Sequence, residues 1–222
     1  MDQCKVAVIG GGSWGTTVAS LVSRNTELTL WARDIDTVNE INEDHRNSRY
    51  LQDAPLNSNL RASHDLQATV AQADVVVMGV PSNSFRDVLS EMTDDIKPNV
   101  PVISLTKGLE RGTRLRMSEI IREVLPGHPA GVLTGPNLAR EILAGQAAAS
   151  VLAMDDDSCV SWLQPLFNVG LFRVYTNPDA IGCELGGVLK NIIAIAVGMG
   201  DGMGAGDNTR AALITRGLAE MT

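Results

Sequence analysis

The chain has 222 residues, of which 44 % are hydrophobic and 20 % charged, and a formal net charge of −8. That length and composition fit a globular protein with one large α/β domain, or one domain and part of another, and exclude an intrinsically disordered chain. The acidic balance argues against a nucleic-acid or anionic-membrane partner, because such surfaces are held through a Lys/Arg excess, so an anionic ligand has to be captured locally.

The first predicted strand, 6–9, is an apolar Val-Ala-Val-Ile run that leads straight into Gly10-x-Gly12-x-x-Gly15, and a helix is expected over 16–22. Strand, glycines and helix in that order predict a dinucleotide-binding turn. Gly10 permits the tight turn, Gly12 lets a pyrophosphate approach the main chain, and Gly15 lets the helix pack close to the strand. The free N–H groups and positive dipole end of the helix then receive the phosphates. Residues 27–34 read as a second strand ending in Arg33-Asp34. About 20 residues beyond the glycines such a fold reads the adenosine ribose, with a carboxylate for the 2′-OH of NAD or an Arg for the 2′-phosphate of NADP. Arg33 favours NADP, and Asp34 keeps NAD open, because spacing does not settle which of the two faces the ribose.

Asp36 is a fair N-cap for a short helix through residue 42, and the polar stretch 43–59 is expected to be a long connection anchored by Tyr50-Leu51. A weak strand over 60–63 and a short helix over 65–71 follow. Asp74-Val-Val-Val-Met-Gly-Val-Pro81 is a near-continuous apolar run, as in a strand buried on both faces of a parallel sheet, and Pro81 ends it. After a helix over 84–92, residues 101–107 form another buried strand with Lys107 at its carboxyl end. Ligands of open α/β sheets bind outside the carboxyl ends of the strands, so Gly10, Arg33, Pro81 and Lys107 are expected on one rim. A helix over 113–125 is stopped by Pro126-Gly127, residues 131–135 repeat the strand-then-breaker pattern, and a helix follows over 137–143. Strands over 147–154 and 171–175 flank a helix over 157–167. This alternation predicts a Rossmann-like, doubly wound, mostly parallel sheet over 1–179.

From residue 180 the strand pattern stops. Residues 183–199 are apolar nearly all round, which predicts a helix buried in a core and the start of an all-helical substrate domain over 180–222. Gly186, Gly187, Lys190 and Ala194 share one side of it, so a lysine stands on a face thinned of side chains. Burial there suits a lysine to acid/base work, because it disfavours the ammonium; a snorkelling lysine or an ion pair with Glu184 is the alternative. The longest apolar run, 192–199, is short of the roughly 20 residues of a membrane span, and no secretory leader is expected. Cys4, Cys159 and Cys183 are odd in number and form no CxxC, as expected of reduced cytoplasmic thiols without a disulfide framework or zinc site. His45, His64 and His128 lack ligand spacing and are expected to face solvent, so no metal is implied.

Seven segments together resemble bacterial NAD(P)-dependent glycerol-3-phosphate dehydrogenase: Gly10-Gly-Gly-Ser-Trp-Gly-Thr16, Asn47-Ser-Arg-Tyr-Leu51, Val80-Pro-Ser82, Ser104-Leu-Thr-Lys-Gly-Leu-Glu110, Gly135-Pro-Asn-Leu-Ala-Arg-Glu141, Gly187-Val-Leu-Lys-Asn191 and Ala211-Ala-Leu-Ile-Thr-Arg-Gly-Leu-Ala-Glu-Met221. The resemblance implies hydride transfer between a nicotinamide and C2 of a phosphorylated triose or glycerol, supplying glycerol phosphate for lipid synthesis in the cytoplasm. It implies that Ser13, Trp14, Arg33 and Tyr50 contact the dinucleotide, Lys107 both cofactor and substrate, and Ala139 the cofactor. Gly135 and Asn137 would line the substrate, and Lys190 would accept the proton. A homodimer is compatible with it. Asn137 stands where the family usually has Ser or Thr, and an amide can still donate to a phosphate or hydroxyl. The family's chain continues into helices bearing an Asp and a Ser-Arg-Asn cluster that grips the substrate phosphate. Residues 180–222 are therefore expected to be only the first part of that domain. The alternatives are a related NADP-dependent reductase of a 2-oxo or 3-hydroxy acid, and a non-catalytic dinucleotide-binding fragment.

Overall fold

In the computed structural model, which describes residues 4–221, β1 (Lys5–Ile9) runs into α1 (Ser13–Val22), β2 (Glu27–Trp31), α2 (Ile35–Asp44), α3 (Ser48–Leu51) and β3 (Arg61–Ser63). Next come α4 (Leu66–Ala71), β4 (Val75–Met78), α5 (Phe85–Ser90), β5 (Val102–Ser104), α6 (Met117–Val124), β6 (Ala130–Thr134), α7 (Ala139–Leu143), β7 (Ala148–Met154), α8 (Asp157–Phe167) and β8 (Phe172–Asn177). The strands form one sheet in the order β3-β2-β1-β4-β5-β6-β7-β8, parallel throughout except between β6 and β7. The period-2 alternation of the strands builds two cores. Val6, Val8, Val75 and Val77 pack with α1 and α8 on one face, while Ala7, Ile9, Val76 and Met78 pack with α4, α5 and α6 on the other. This is a doubly wound sheet, and the chain reverses its direction of travel between β1 and β4, where such folds open a ligand crevice.

Three segments depart from the pattern read in the sequence. The expected connection 43–59 holds a short helix: α2 continues to Asp44, His45 closes it in the left-handed region (φ 51°), and α3 begins at Ser48, with the remainder irregular. The helix expected from 113 begins only at Met117. Residues 109–116 instead fold back through Gly112 and Arg114, both at positive φ, to bridge Leu109 to Arg116. Of the histidines, His64 is exposed as expected and His45 and His128 are half-buried, with the Nδ1 atoms of all three 2.9–3.2 Å from the carbonyls of Ala32, Ile41 and Val100 respectively.

The largest correction concerns the end of the chain. The expected core helix is α9 (Ala180–Gly202), and only Ala180, Glu184 and Gly187 of it are buried; Ile192, Ile195 and Met199 stay more than 60 % exposed. Apolar composition predicted burial, but among the described residues α9 is covered mainly by β6, β7 and α10 (Asp207–Met221), with Glu184 reaching Arg116 and Ser118. Counting the unbroken run 192–199 also understated it. Glycine and alanine extend the apolar character over 23 residues, long and apolar enough by length and composition to cross a membrane.

Candidate active site

The glycine-rich turn is built as its spacing implies. Gly10 sits at φ +125°, and a Cβ there would lie 2.7 Å from the Gly79 carbonyl oxygen. One on Gly15 would lie 2.1 Å from that of Gly10, so only hydrogen at both positions lets α1 close onto the strands. A Cβ on Gly12 would meet nothing within 4 Å, because it would enter an open cleft. Gly12 precedes α1 without a side-chain cap, which leaves the N–H groups of the first helical turn available to an anion.

That cleft has a volume of about 750 Å³. Its walls are the segments that follow the carboxyl ends of β1, β2, β4 and β5, and Gly10, Gly12, Ser13, Trp14, Arg33, Tyr50, Pro81 and Lys107 all line it. Gly15 lies behind the turn in its packing role. Ala139 lies outside the cleft lining, part-buried against the core. A volume of this size, a phosphate turn freed of side chains and an uncapped helix fit a dinucleotide.

Asn47, fully buried, is a residue whose part in the site sequence reasoning missed. Its Nδ2 donates to the Gly11 carbonyl and to Thr16 Oγ1, both at 2.9 Å, and its Oδ1 has no partner. It thus ties α3 to the phosphate turn and brings Arg49 and Tyr50 to the cleft wall. A polar residue in an apparent loop gave no sign of this burial; its only signal was membership of the Asn-Ser-Arg-Tyr-Leu segment.

At the end of the cleft beyond β2, Asp34 Oδ2 accepts from Thr37 Oγ1 at 2.8 Å and lies 3.4 Å from Arg49 Nη1. The Thr37 hydroxyl, with Arg49 adding to it, holds the Asp34 carboxyl below its ordinary pKa. At the other end, half-buried Lys107 donates from Nζ to the Gly135 carbonyl at 2.9 Å. Burial, and then the nearby charge of Lys190, push the Lys107 amine below the ordinary lysine pKa.

Lys190 reaches this neighbourhood through two features of α9. A Cβ on Gly187 would lie 2.9 Å from Thr134 Oγ1 and 4.0 Å from Lys107 Cγ, so the bare glycine sets the helix against the end of β6. Glu184 accepts from Arg116 Nη1 at 2.9 Å, from the Ser118 backbone N–H at 3.0 Å and from the Ser118 hydroxyl. The alternative pairing of Glu184 with Lys190 is therefore corrected: the carboxylate belongs to Arg116, and among the described residues Lys190 has no hydrogen-bond or ion-pair partner. Asn137 donates from Nδ2 to Ser150 Oγ, leaving its buried Oδ1 unpartnered beside Gly135.

Known proteins share this sequence and fold. The family described as NAD-dependent glycerol-3-phosphate dehydrogenase N-terminus matches residues 5–160, and its C-terminus counterpart matches residues 179–222. The chain is 68 % identical over 220 residues to glycerol-3-phosphate dehydrogenase (NAD(P)+) 2 of Sphingopyxis alaskensis, covering 99 % of this chain and 66 % of that protein. It is 56 % identical over 223 residues to glycerol-3-phosphate dehydrogenase (NAD(P)+) of Mycobacterium avium, covering 100 % and 65 %. Among solved structures, glycerol-3-phosphate dehydrogenase from Coxiella burnetii superposes with a TM-score of 0.90 at 38 % identity, over 99 % of this chain and 67 % of that one. The chain spans about two thirds of the length of these relatives. On these matches and on the geometry of its cleft, the chain belongs to the NAD-dependent glycerol-3-phosphate dehydrogenase family.

Proposed function

We propose that the protein interconverts sn-glycerol 3-phosphate and dihydroxyacetone phosphate with NADP, or NAD, as redox partner, supplying glycerol phosphate for phospholipid synthesis in the cytoplasm. The observation that carries this reading is the approach of α9 to Lys107, which lines the cleft at the carboxyl end of β5. A Cβ on Gly187 would lie 4.0 Å from Lys107 Cγ, and Lys190, three residues further along the helix and outside the cleft lining, has its charge near Lys107. Residues 1–179 are read as the dinucleotide-binding domain and 180–222 as the first part of the helical substrate domain.

The bound nicotinamide cofactor would supply the hydride chemistry. The turn from Gly10 to Trp14 would hold its diphosphate on the α1 N-terminus, with Tyr50 and Arg33 on the adenosine side. Lys107 places positive potential beside the substrate carbonyl oxygen, and the Gly135 carbonyl fixes its amine. Lys190, without a hydrogen-bond or ion-pair partner among the described residues, takes the C2 hydroxyl proton during oxidation and returns it to the developing alkoxide during reduction. Gly135 and Asn137 form the substrate-side wall, and Ala139 stands behind the cofactor. The family resemblance assigns the substrate phosphate to an Asp and a Ser-Arg-Asn cluster outside these residues.

The test follows NADPH fluorescence with the full-length protein, offering dihydroxyacetone phosphate in competition with 2-oxo and 3-oxo acids. Rapid oxidation with dihydroxyacetone phosphate alone is expected. Preferential turnover of an oxo acid would assign the site to a related reductase, and nucleotide binding without turnover would reduce the protein to a binding module.

A further inference from the structure

The ribose end of the cleft carries more recognition than the Arg33-Asp34 dipeptide suggests. Asp34 Oδ2 accepts from the Thr37 hydroxyl at 2.8 Å and lies 3.4 Å from the Arg49 guanidinium, so the carboxylate steadies Arg49 on the cleft wall. Arg33, by contrast, makes no hydrogen bond or ion pair among the described residues. Arg49 lines the same cleft, with 64 % of its side chain exposed and its guanidinium carbon 5.5 Å from the centre of the Tyr50 ring. Asn47 holds the base of that wall onto the glycine turn. With Arg33 and Arg49 facing the ligand and a single carboxylate between them, this end of the cleft is net cationic. That is unusual ground in a chain of charge −8.

We infer that Arg49 is a second specificity-determining residue, closing with Arg33 on the 2′-phosphate of NADP while Asp34 Oδ2 orients it. A phosphomonoester carries about −1.5 to −2 charges at neutral pH and offers three acceptor oxygens, so it attracts the guanidinium donors that Asp34 leaves unused. Arg49 has donors beyond the Nη1 that faces Asp34, so both contacts can coexist. A lysine could not reproduce this flat, forked approach along the aromatic ring.

The inference rests on the dinucleotide reading of the cleft, and calorimetric titration separates the two. Full-length wild type and Arg49→Gln are titrated with NADPH, NADH and the fragments 2′,5′-ADP and 5′-ADP. For Arg49→Gln a loss of about 10-fold to 100-fold is expected for NADPH and 2′,5′-ADP, as for one charge-assisted contact. NADH and 5′-ADP should change by no more than about two-fold, because the exposed pair with Asp34 contributes little by itself. Retained NADH binding also shows that the variant is folded. An equal loss for all four ligands would put Arg49 on their shared diphosphate or adenine and overturn the assignment, as would unchanged NADPH binding. A wild type that binds none of the four would instead remove the dinucleotide reading itself.

Discussion

The sheet with its flanking helices and the two C-terminal helices are made of similarly apolar sequence, yet they hold themselves together differently. In the first region the strands β1, β4, β5 and β6 are sealed between helices, and Val8, Ile9, Val76, Val77 and Met78 are fully buried. In the second, α10 has no buried residue and α9 has Ala180, Glu184 and Gly187. Hydrophobicity records a preference for leaving water; it does not say which surface will provide the cover. The first region carries its own core, and the second is held by a latch. A buried carboxylate meets a nearly buried arginine, and a glycine admits close contact with β6.

The contrast can be broken most forcefully in the core. In the 222-residue chain, Phe85→Ala, at a fully buried position, should destabilise the sheet by about 3–5 kcal/mol, while Ile195→Ala on the face of α9 that this chain leaves exposed should cost less than about 0.5 kcal/mol. Urea unfolding of both variants checks the pair, and similar costs would mean that α9 is covered in solution. Next is the latch. Glu184→Ala leaves nearly buried Arg116 with Glu119 as its remaining ion-pair partner and the Ser118 hydroxyl as a neutral acceptor, so a loss of about 2–4 kcal/mol is expected, somewhat below that for a wholly uncompensated charge. Hydrogen exchange should locate that loss in α9 and α10 and leave β1 and β4 protected.

A smaller effect is expected for Asn47→Ala, which removes two hydrogen bonds from the underside of the phosphate turn. The cost should be about 1–3 kcal/mol, read by thermal unfolding, with weaker nucleotide binding by calorimetry. The smallest effect is a pH slope. The Lys107 amine is depressed in the folded protein, so between its lowered pKa and the ordinary lysine value the unfolded chain binds more protons, and this group's contribution to stability rises with pH. Lys190→Met removes the secondary cause of that depression and should flatten the rise in urea midpoints on the alkaline side, leaving the part due to burial.

How much of this was legible in the sequence follows the same division. The buried strands announce themselves through β-branched runs such as 75–77, and the phosphate turn through glycines whose absent Cβ atoms are each accounted for by a close contact or by the cleft. Lys107 could be placed because a residue at the carboxyl end of a central parallel strand has nowhere else to be. The role of Asn47 depends on contacts 31 and 36 residues away, and the true partner of Glu184 lies 68 residues earlier. Local periodicity carries no information at that range. The exposure of α9 was illegible for another reason, since burial belongs to the neighbours of a helix as much as to its own side chains.

The claim on which the rest depends is that Lys190 transfers the proton at a site whose nucleotide is bound elsewhere, on the glycine turn. The most direct measurement pairs NADPH titration with the rate of dihydroxyacetone phosphate reduction for Lys190→Ala in the full-length protein. Nucleotide affinity should be unchanged while turnover falls by about 10²-fold to 10⁴-fold, as for loss of a proton-transfer group. Near-normal turnover with intact binding would contradict the account.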